Sequence, residues 1–228
     1  MRNRIACKSC STLNPQYKLN CSSCNSILRN RVVNIDFWQT VWGLIDSPVQ
    51  AYLKIIQSEH KNYLFFISIL AGLNFWLDSL LLKNVLSVEF SSGNSLVSFA
   101  LSLFAISFYI ILFSVISKYL FRFLKSDTRI KDNLSIYFYA LIPQLVLLPI
   151  LFIIEFAIFG KYWLSFNPSP FILKPMIAYV LGGLEGILFF GSLILTIIAI
   201  YTQTKLKIFS ILFAVVLNAG IIYLMLIL

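Results

Sequence analysis

The stretch LVSFALSLFAISFYIILFSVIS, residues 96–117, runs for 22 residues without a charged side chain. A helix of about 20 apolar residues is long enough to cross the hydrocarbon core of a bilayer. The rest of the chain has the same character, since 59% of its 228 residues are hydrophobic, 12% are charged and the mean hydropathy is +0.87. Soluble domains carry about 25% charged residues. The composition therefore predicts an integral membrane protein.

Five predominantly apolar runs of about this length predict an all-α polytopic membrane protein with five transmembrane helices. They are residues 62–82, 96–117, 134–159, 176–200 and 208–228. The third run contains Pro143 and Pro149, so a kink is expected there. Ahead of this five-helix domain (62–228) we expect a zinc ribbon in residues 1–30 and amphipathic interfacial helices in residues 31–61.

The basic residues indicate how the helices are oriented. Fifteen of the 18 lie before the first run, in the second loop or in the fourth loop, which share one side if there are five spans. Cytoplasmic loops are enriched in Lys and Arg. The N-terminus is thus predicted to be cytoplasmic and the C-terminus external. The second-loop residues expected at the membrane interface are Lys118, Arg122, Lys125, Arg129 and Lys131.

The net charge of +9 is then explained by topology and by contact with anionic lipids. We do not expect nucleic acid as a partner.

All four cysteines lie near the N-terminus, as Cys7 with Cys10 and Cys21 with Cys24. Two CxxC turns can supply the four thiolates of a tetrahedral zinc site, and an all-cysteine set leaves no open position for catalysis. The ten residues between the pairs are fewer than the roughly 12 to 20 of common zinc motifs, and Asn14 with Pro15 is expected to form the turn that brings the pairs together. Two disulfides or four thiols are the alternatives. Disulfides would require an exported N-terminus, and no signal peptide is expected ahead of Cys7.

Residues 31–61 carry apolar and aromatic residues at helical spacing and predict two short helices, the second beginning at Pro48 after a capping box of Ser47 and Gln50. Charged residues interrupt both, so neither is expected to span. Trp38 and Trp42 favour a position at the headgroup level of the inner leaflet. Packing against the cytoplasmic ends of the bundle is the alternative, and the two are compatible.

Three acidic residues lie inside the predicted spans: Asp78, Glu155 and Glu185. From the outer helix ends, Asp78 and Glu155 are expected about 6 Å deep and Glu185 about 13 Å deep. Asp78 and Glu155 are interpreted as interfacial, paired with the sequence neighbours Lys83 and Lys161.

Glu185 lies between Gly182 and Gly186, whose spacing allows another helix to approach closely. It is interpreted either as a protonated carboxyl within a helix interface or as a group that responds to protons or substrate.

The passages GLIDSPVQAYLKII (residues 43–56) and IYFYALIPQLVLLPI (residues 136–150), with the five-span layout over residues 31–228, resemble the Yip1 family of membrane proteins. The front end also resembles uncharacterised bacterial zinc-ribbon membrane proteins and, more distantly, the Arv1 family, whose cysteine pairs are further apart. The resemblance implies an adaptor or organiser in membrane trafficking, or an accessory of a transport or envelope complex. A bacterial inner membrane is favoured over a eukaryotic endomembrane.

No catalytic constellation is recognisable, and His60 is the single histidine, so an enzyme is not expected. The first functional hypothesis is a non-enzymatic membrane adaptor that binds a protein partner in the membrane or cytoplasm. The alternative is lipid or small-solute transport or scrambling along a polar path that includes Glu185, Asn74 and Gln144. Five spans without an inverted repeat would then favour a homodimer.

Overall fold

The computed structural model describes residues 3–86, 95–165 and 167–227 and shows a mostly helical chain behind a small β-hairpin. The two strands, β1 (Arg4–Ala6) and β2 (Leu13–Pro15), pair antiparallel. The helices are α1 (Phe37–Asp46), α2 (Pro48–Gln57), α3 (Leu64–Val85), α4 (Ser95–Phe123), α5 (Ile130–Ala140), α6 (Ile142–Phe159), α7 (Tyr162–Ser165), α8 (Pro170–Leu173), α9 (Pro175–Thr204) and α10 (Lys207–Ile227).

Four of the described helices are long and apolar enough to cross a membrane. Their spanning portions are Leu64–Leu82, Leu96–Phe123, Pro175–Thr204 and Lys207–Ile227. These helices make the chain an integral membrane protein. Helix α4 continues through Phe123, so Lys118 and Arg122 lie on its last turns rather than in a loop.

The third predicted run is divided into two helices. Helix α5 ends at Ala140, and α6 begins at Ile142 with Pro143 in its first turn. Proline lacks the N–H that a continuing helix needs, which explains a break at this point. Almost all of α5 is buried, whereas α6 exposes Ile150, Ile153 and Phe156. A fifth crossing would need the two helices together, and it stays a prediction.

The amphipathic segment of residues 31–61 forms two helices, α1 and α2. Helix α2 starts at Pro48 and buries Tyr52, Ile55 and Ile56 against α5 and α9. Helix α1 is capped by the Asp36 carboxylate, which accepts a hydrogen bond from the Gln39 N–H at 2.7 Å.

The prediction of a capping box at the start of α2 is wrong, because the Ser47 side chain makes no capping hydrogen bond. The Gln50 N–H bonds instead to the Ser47 backbone carbonyl.

Two glycines allow the long helices to pack closely. A Cβ added at Gly72 of α3 would lie 2.9 Å from both Cα and Cβ of Leu103 on α4. At Gly220 of α10 the missing side chain leaves room for Tyr109, whose hydroxyl donates to the Leu217 carbonyl at 3.0 Å. Close packing at these two glycines fixes α4 against α3 and α10.

Candidate functional site

The two CxxC turns, one at the tip of the N-terminal hairpin and one after it, have the same backbone geometry. In the first, the Ser11 N–H donates to the Cys7 carbonyl at 2.9 Å; in the second, the Asn25 N–H donates to the Cys21 carbonyl at 3.2 Å. Ser11 and Asn25 both adopt left-handed backbone conformations, with φ of 58° and 57°. The turns therefore present their thiols in equivalent positions from two sides.

The four sulfur atoms lie together. All of them are within 4.8 Å of one another, and Cys7 to Cys24 and Cys10 to Cys21 are both 3.5 Å. A tetrahedral site with metal–sulfur bonds of about 2.3 Å would hold its sulfurs about 3.8 Å apart. The arrangement fits one metal ion with four thiolate ligands.

Hydrogen bonds around Cys7 and Cys21 favour the thiolate form that a metal requires. The Ser26 hydroxyl, 3.0 Å from Cys7 Sγ, and the backbone amides of Cys10 and Ser9 lower the pKa of Cys7 to about 5. The backbone amides of Cys24 and Ser23 lower the pKa of Cys21. At Cys24, hydrogen bonds from Ser26 lower the pKa, but the Cys10 and Cys7 thiols and burial raise it overall.

Asn14 does not form the turn that the sequence suggested. It lies in β2 with Pro15, fully buried, and its amide bonds the Thr12 carbonyl at 2.9 Å and Cys21 Sγ at 3.4 Å. Its carbonyl oxygen accepts hydrogen bonds from both the N–H and the hydroxyl of Ser22 at 2.9 Å. Asn14 thus links the hairpin to the second CxxC turn from the inside.

Residues 3–30, here called the cysteine module, are fastened to the helical part of the chain at both ends. Arg4 forms an ion pair with Asp127, and the Asn3 side chain exchanges two hydrogen bonds with the Asp127 backbone, at 3.1 and 3.2 Å. At the other end, the Arg29 guanidinium donates to the carbonyls of Tyr17 and Gln57, both at 2.9 Å. The module is therefore docked on the bundle.

Beneath the module lies a buried ionic cluster centred on Asp132, which is 1% exposed. Its carboxylate receives two hydrogen bonds from Arg129, at 2.6 and 3.0 Å, and an ion pair from Lys61 at 3.2 Å. Arg129 also lies over the Tyr17 ring of the module at 4.5 Å and donates to the Ile56 carbonyl at 3.0 Å. Burial lowers the pKa of Lys61 to about 8, although the Asp132 carboxylate favours its charged form.

The three acidic residues of the predicted spans converge at the end of the bundle away from the module. Asp78 comes from α3, Glu155 from α6 and Glu185 from α9, and all three line one small chamber together with Trp163. Asn74, one turn before Asp78, donates to its carboxylate. Three helices thus bring three carboxyl groups to one place.

Glu155 is the least exposed of the three, with 2% of its surface accessible. Its Oε1 atom is buried and takes part in no hydrogen bond of standard geometry with the described residues. The Glu185 carboxyl and the Trp163 indole are its polar neighbours. A buried carboxyl oxygen whose hydrogen bonds are not well formed carries a free-energy cost, so a ligand donor that reached it would be stabilising.

The chamber adjoins a larger cavity of about 630 Å³, and the two share Asp78, Leu81, Trp163 and Glu185. We call them together the acidic pocket. Gly183 and Tyr179 are exposed on its edge, so the pocket opens sideways at the bundle surface. Its remaining wall is mostly apolar and includes Asn74, Leu82, Gln144, Leu151, Phe171, Gly182, Gly186, Leu188, Phe189, Ile222 and Met225.

Two sequence interpretations change here. A Cβ added at Gly182 or Gly186 would meet no atom within 4 Å, so within the described chain these glycines face the pocket rather than a neighbouring helix. The Lys161 ammonium lies over the Tyr162 ring at 5.6 Å and forms no ion pair with Glu155 among the described residues. The side chain of Lys83 lies outside the described part.

The predicted interface residues lie at the module end of the bundle. Trp38 and Trp42 are 64% and 67% exposed on α1, next to exposed Ile45. Arg122, Lys125 and Lys131 are exposed and Lys118 is half-buried, whereas Arg129 belongs to the ionic cluster. Sequence reasoning missed that role of Arg129 together with Asp132; the i, i+3 spacing of the pair was the available signal.

Comparisons of the chain with protein-family models, with curated proteins and with solved structures find no match.

Proposed function

We propose that this protein binds a membrane-dissolved amphiphile, either a lipid or a small amphipathic solute, in the acidic pocket. It would then transport or scramble this ligand within the bilayer. The observation that carries the proposal is the convergence of Asp78, Glu155 and Glu185 on a small chamber that adjoins a mostly apolar cavity of about 630 Å³, which Asp78 and Glu185 also line. Small-molecule sites are typically cavities of about 300 to 1,000 Å³ with few polar groups. Charged side chains within membrane spans are costly and usually mark functional sites.

The proposed setting is a five-span protein in which residues 130–159 provide the third crossing, with the N-terminus cytoplasmic and the C-terminus external. In that orientation the acidic pocket faces the outer leaflet. The cysteine module would hold a structural zinc ion on the cytoplasmic side, with α1 in the inner headgroup region near anionic lipids. The Yip1-like layout and a bacterial inner membrane complete the proposal, which assigns no enzymatic activity.

The pocket can be tested by filling it. Gly186→Phe places a ring where an added Cβ meets no atom, so the fold should tolerate it while the cavity is blocked. Ile187→Phe is the matched control, because Ile187 is 65% exposed on the same helix and does not line the pocket. The probe is a fatty alcohol with a photoreactive group in its chain, added to the protein in nanodiscs.

We expect crosslinks to peptides that line the pocket in the unchanged protein and in Ile187→Phe, and their loss in Gly186→Phe. Equal labelling of all three proteins would contradict the proposed site. The same variants in liposomes would report transport, since a handling role predicts lipid exchange above protein-free vesicles that Gly186→Phe removes.

A second candidate is the adaptor role, favoured by the docked cysteine module beside the exposed aromatic face of α1. A module that is fixed in place could present a surface to a cytoplasmic or membrane partner. Crosslinking followed by affinity purification should recover a partner that Cys7→Ser combined with Cys10→Ser loses. If the double variant folds, inserts and retains every partner, the module does not recruit.

A further inference from the structure

The charge balance of the acidic pocket is one-sided. Asp78, Glu155 and Glu185 contribute three carboxyl groups, and the described residues that line the pocket include no Lys, Arg or His. Carboxylates close together raise each other's free energy in a low-dielectric site, and a nearby cation offsets that cost. The described part of the chain supplies no such cation to the pocket.

A bare metal ion is not the cation that this geometry fits. The four cysteines are the one group of three or more Cys, His, Asp or Glu residues, within the described ranges, whose ligand atoms lie close enough to share an ion. The three carboxyl groups of the pocket are therefore not grouped closely enough to share one metal ion.

The rest of the wall suits an organic cation with an apolar chain. Trp163, Phe171 and Tyr179 line the pocket, and aromatic faces attract ammonium groups. The backbone of α9 is bare at Gly182, Gly183 and Gly186, where an added Cβ would meet no atom within 4 Å. A hydrocarbon chain can lie along that surface toward the exposed edge at Gly183.

We infer that the ligand of the acidic pocket carries an ammonium group, which binds among Asp78, Glu155 and Glu185, and an apolar chain, which lies along the glycine face of α9. The inference rests on the proposed function and adds the charge of the ligand. An ammonium group donates hydrogen bonds, so it can bond the buried Oε1 of Glu155 while its charge attracts the other two carboxyl groups at longer range. The ammonium can come from an amine-bearing lipid headgroup or from a single-chain amine.

The experiment compares three probes that share one brominated chain and differ in their headgroup: ammonium, hydroxyl or carboxylate. The reporter is Trp163, which lines the pocket and whose fluorescence bromine quenches at short range. Trp38→Phe, Trp42→Phe and Trp76→Phe together leave Trp163 as the single tryptophan. Binding is measured on the full chain in nanodiscs.

We expect saturable quenching by the amine at a concentration about tenfold lower than by the alcohol, with the acid weakest, as one charge-assisted contact would give. Combining Asp78→Asn, Glu155→Gln and Glu185→Gln should remove the difference between amine and alcohol. Asp46→Asn, an exposed carboxylate at the end of α1, should leave that difference unchanged. If the triple variant does not fold, the comparison of the three headgroups in the protein that retains Asp78, Glu155 and Glu185 still tests the inference.

Equal affinity for amine and alcohol, or tighter binding of the acid, would overturn the inference and leave the pocket as an amphiphile site. Absence of saturable quenching by all three probes would remove the proposed function as well. Displacement of the bound amine by phosphatidylethanolamine would identify a lipid headgroup as a source of the ammonium, and displacement by an unbrominated single-chain amine but not by the lipid would favour a single-chain amine.

Discussion

At the scale of single residues, Asp132 has the most demanding environment outside the acidic pocket. It is buried and bound by two cations from different parts of the chain, Arg129 on its own segment and Lys61 before α3. An exposed pair, Arg31 with Glu59, lies nearby at 3.0 and 3.1 Å. The two carboxylates have similar partners and very different exposure.

Replacing Asp132 therefore tests the ionic cluster. Asp132→Asn leaves Lys61 and Arg129 without their shared anion and should lower the free energy of unfolding by about 3 to 5 kcal/mol. Glu59→Gln removes one partner of an exposed pair and should change it by at most about 1 kcal/mol. Thermal unfolding of both purified variants in the same detergent measures the difference, and equal shifts would show that burial does not govern the cluster.

At the scale of elements, the lengths of the apolar runs and the positions of the prolines predict where the long helices lie and where one breaks. They do not predict which helices pack against each other. The long runs correspond to α3, α4, α9 and α10, and the break before α6 falls at Pro143. Glu155 was assigned to Lys161 because the two are close in sequence. Packing of α6 on α9 and α3 instead brings Glu155 to Glu185 and Asp78, since long-range contacts depend on which helix faces meet.

The same limit applies to the cysteine module and its surroundings. The CxxC spacing predicts that the four thiols can share a metal, and their sulfur atoms lie within 4.8 Å. Nothing in the spacing predicts that Arg29 reaches the end of α2 or that Arg129 stacks on Tyr17. Those contacts depend on the docking of one element onto another, which leaves no periodic pattern in the sequence.

Glycine substitutions separate close packing from open surface within the membrane helices. Gly72→Ala places a methyl group 2.9 Å from the Leu103 backbone, so α3 and α4 must move apart, and we expect a loss of about 1 to 3 kcal/mol. Gly183→Ala meets no atom and replaces a poor helix former, so stability should stay equal or rise by up to about 1 kcal/mol. Melting temperatures in one detergent compare the two, and equal losses would contradict the close α3–α4 approach.

At the scale of the whole molecule, the two ends of the bundle have opposite chemistry. One end carries the cysteine module, the ionic cluster and exposed Arg122, Lys125 and Lys131. The other end carries the acidic pocket. The distribution of basic residues predicts that the first of these ends is cytoplasmic.

Topology can be measured across the divided segment α5–α6. If residues 130–159 cross the membrane, exposed positions 125 and 161 face opposite sides. Lys161→Cys should react with an impermeant maleimide on intact cells, and Lys125→Cys should react only after permeabilisation. Cells that express the unchanged chain measure the background labelling of the four native cysteines by the maleimide. Reaction of both positions on one side would exclude the third crossing.

The docking of the cysteine module also has a mechanical consequence. Arg4 and Asn3 hold one end of the module to Asp127, and Arg29 holds the other end to the last residue of α2. The stacking of Arg129 on Tyr17 adds a contact between these two ends, and attachment at separate points resists the rotation that a single tether would allow. A pull applied to the module would therefore reach α2 and the α4–α5 connection together.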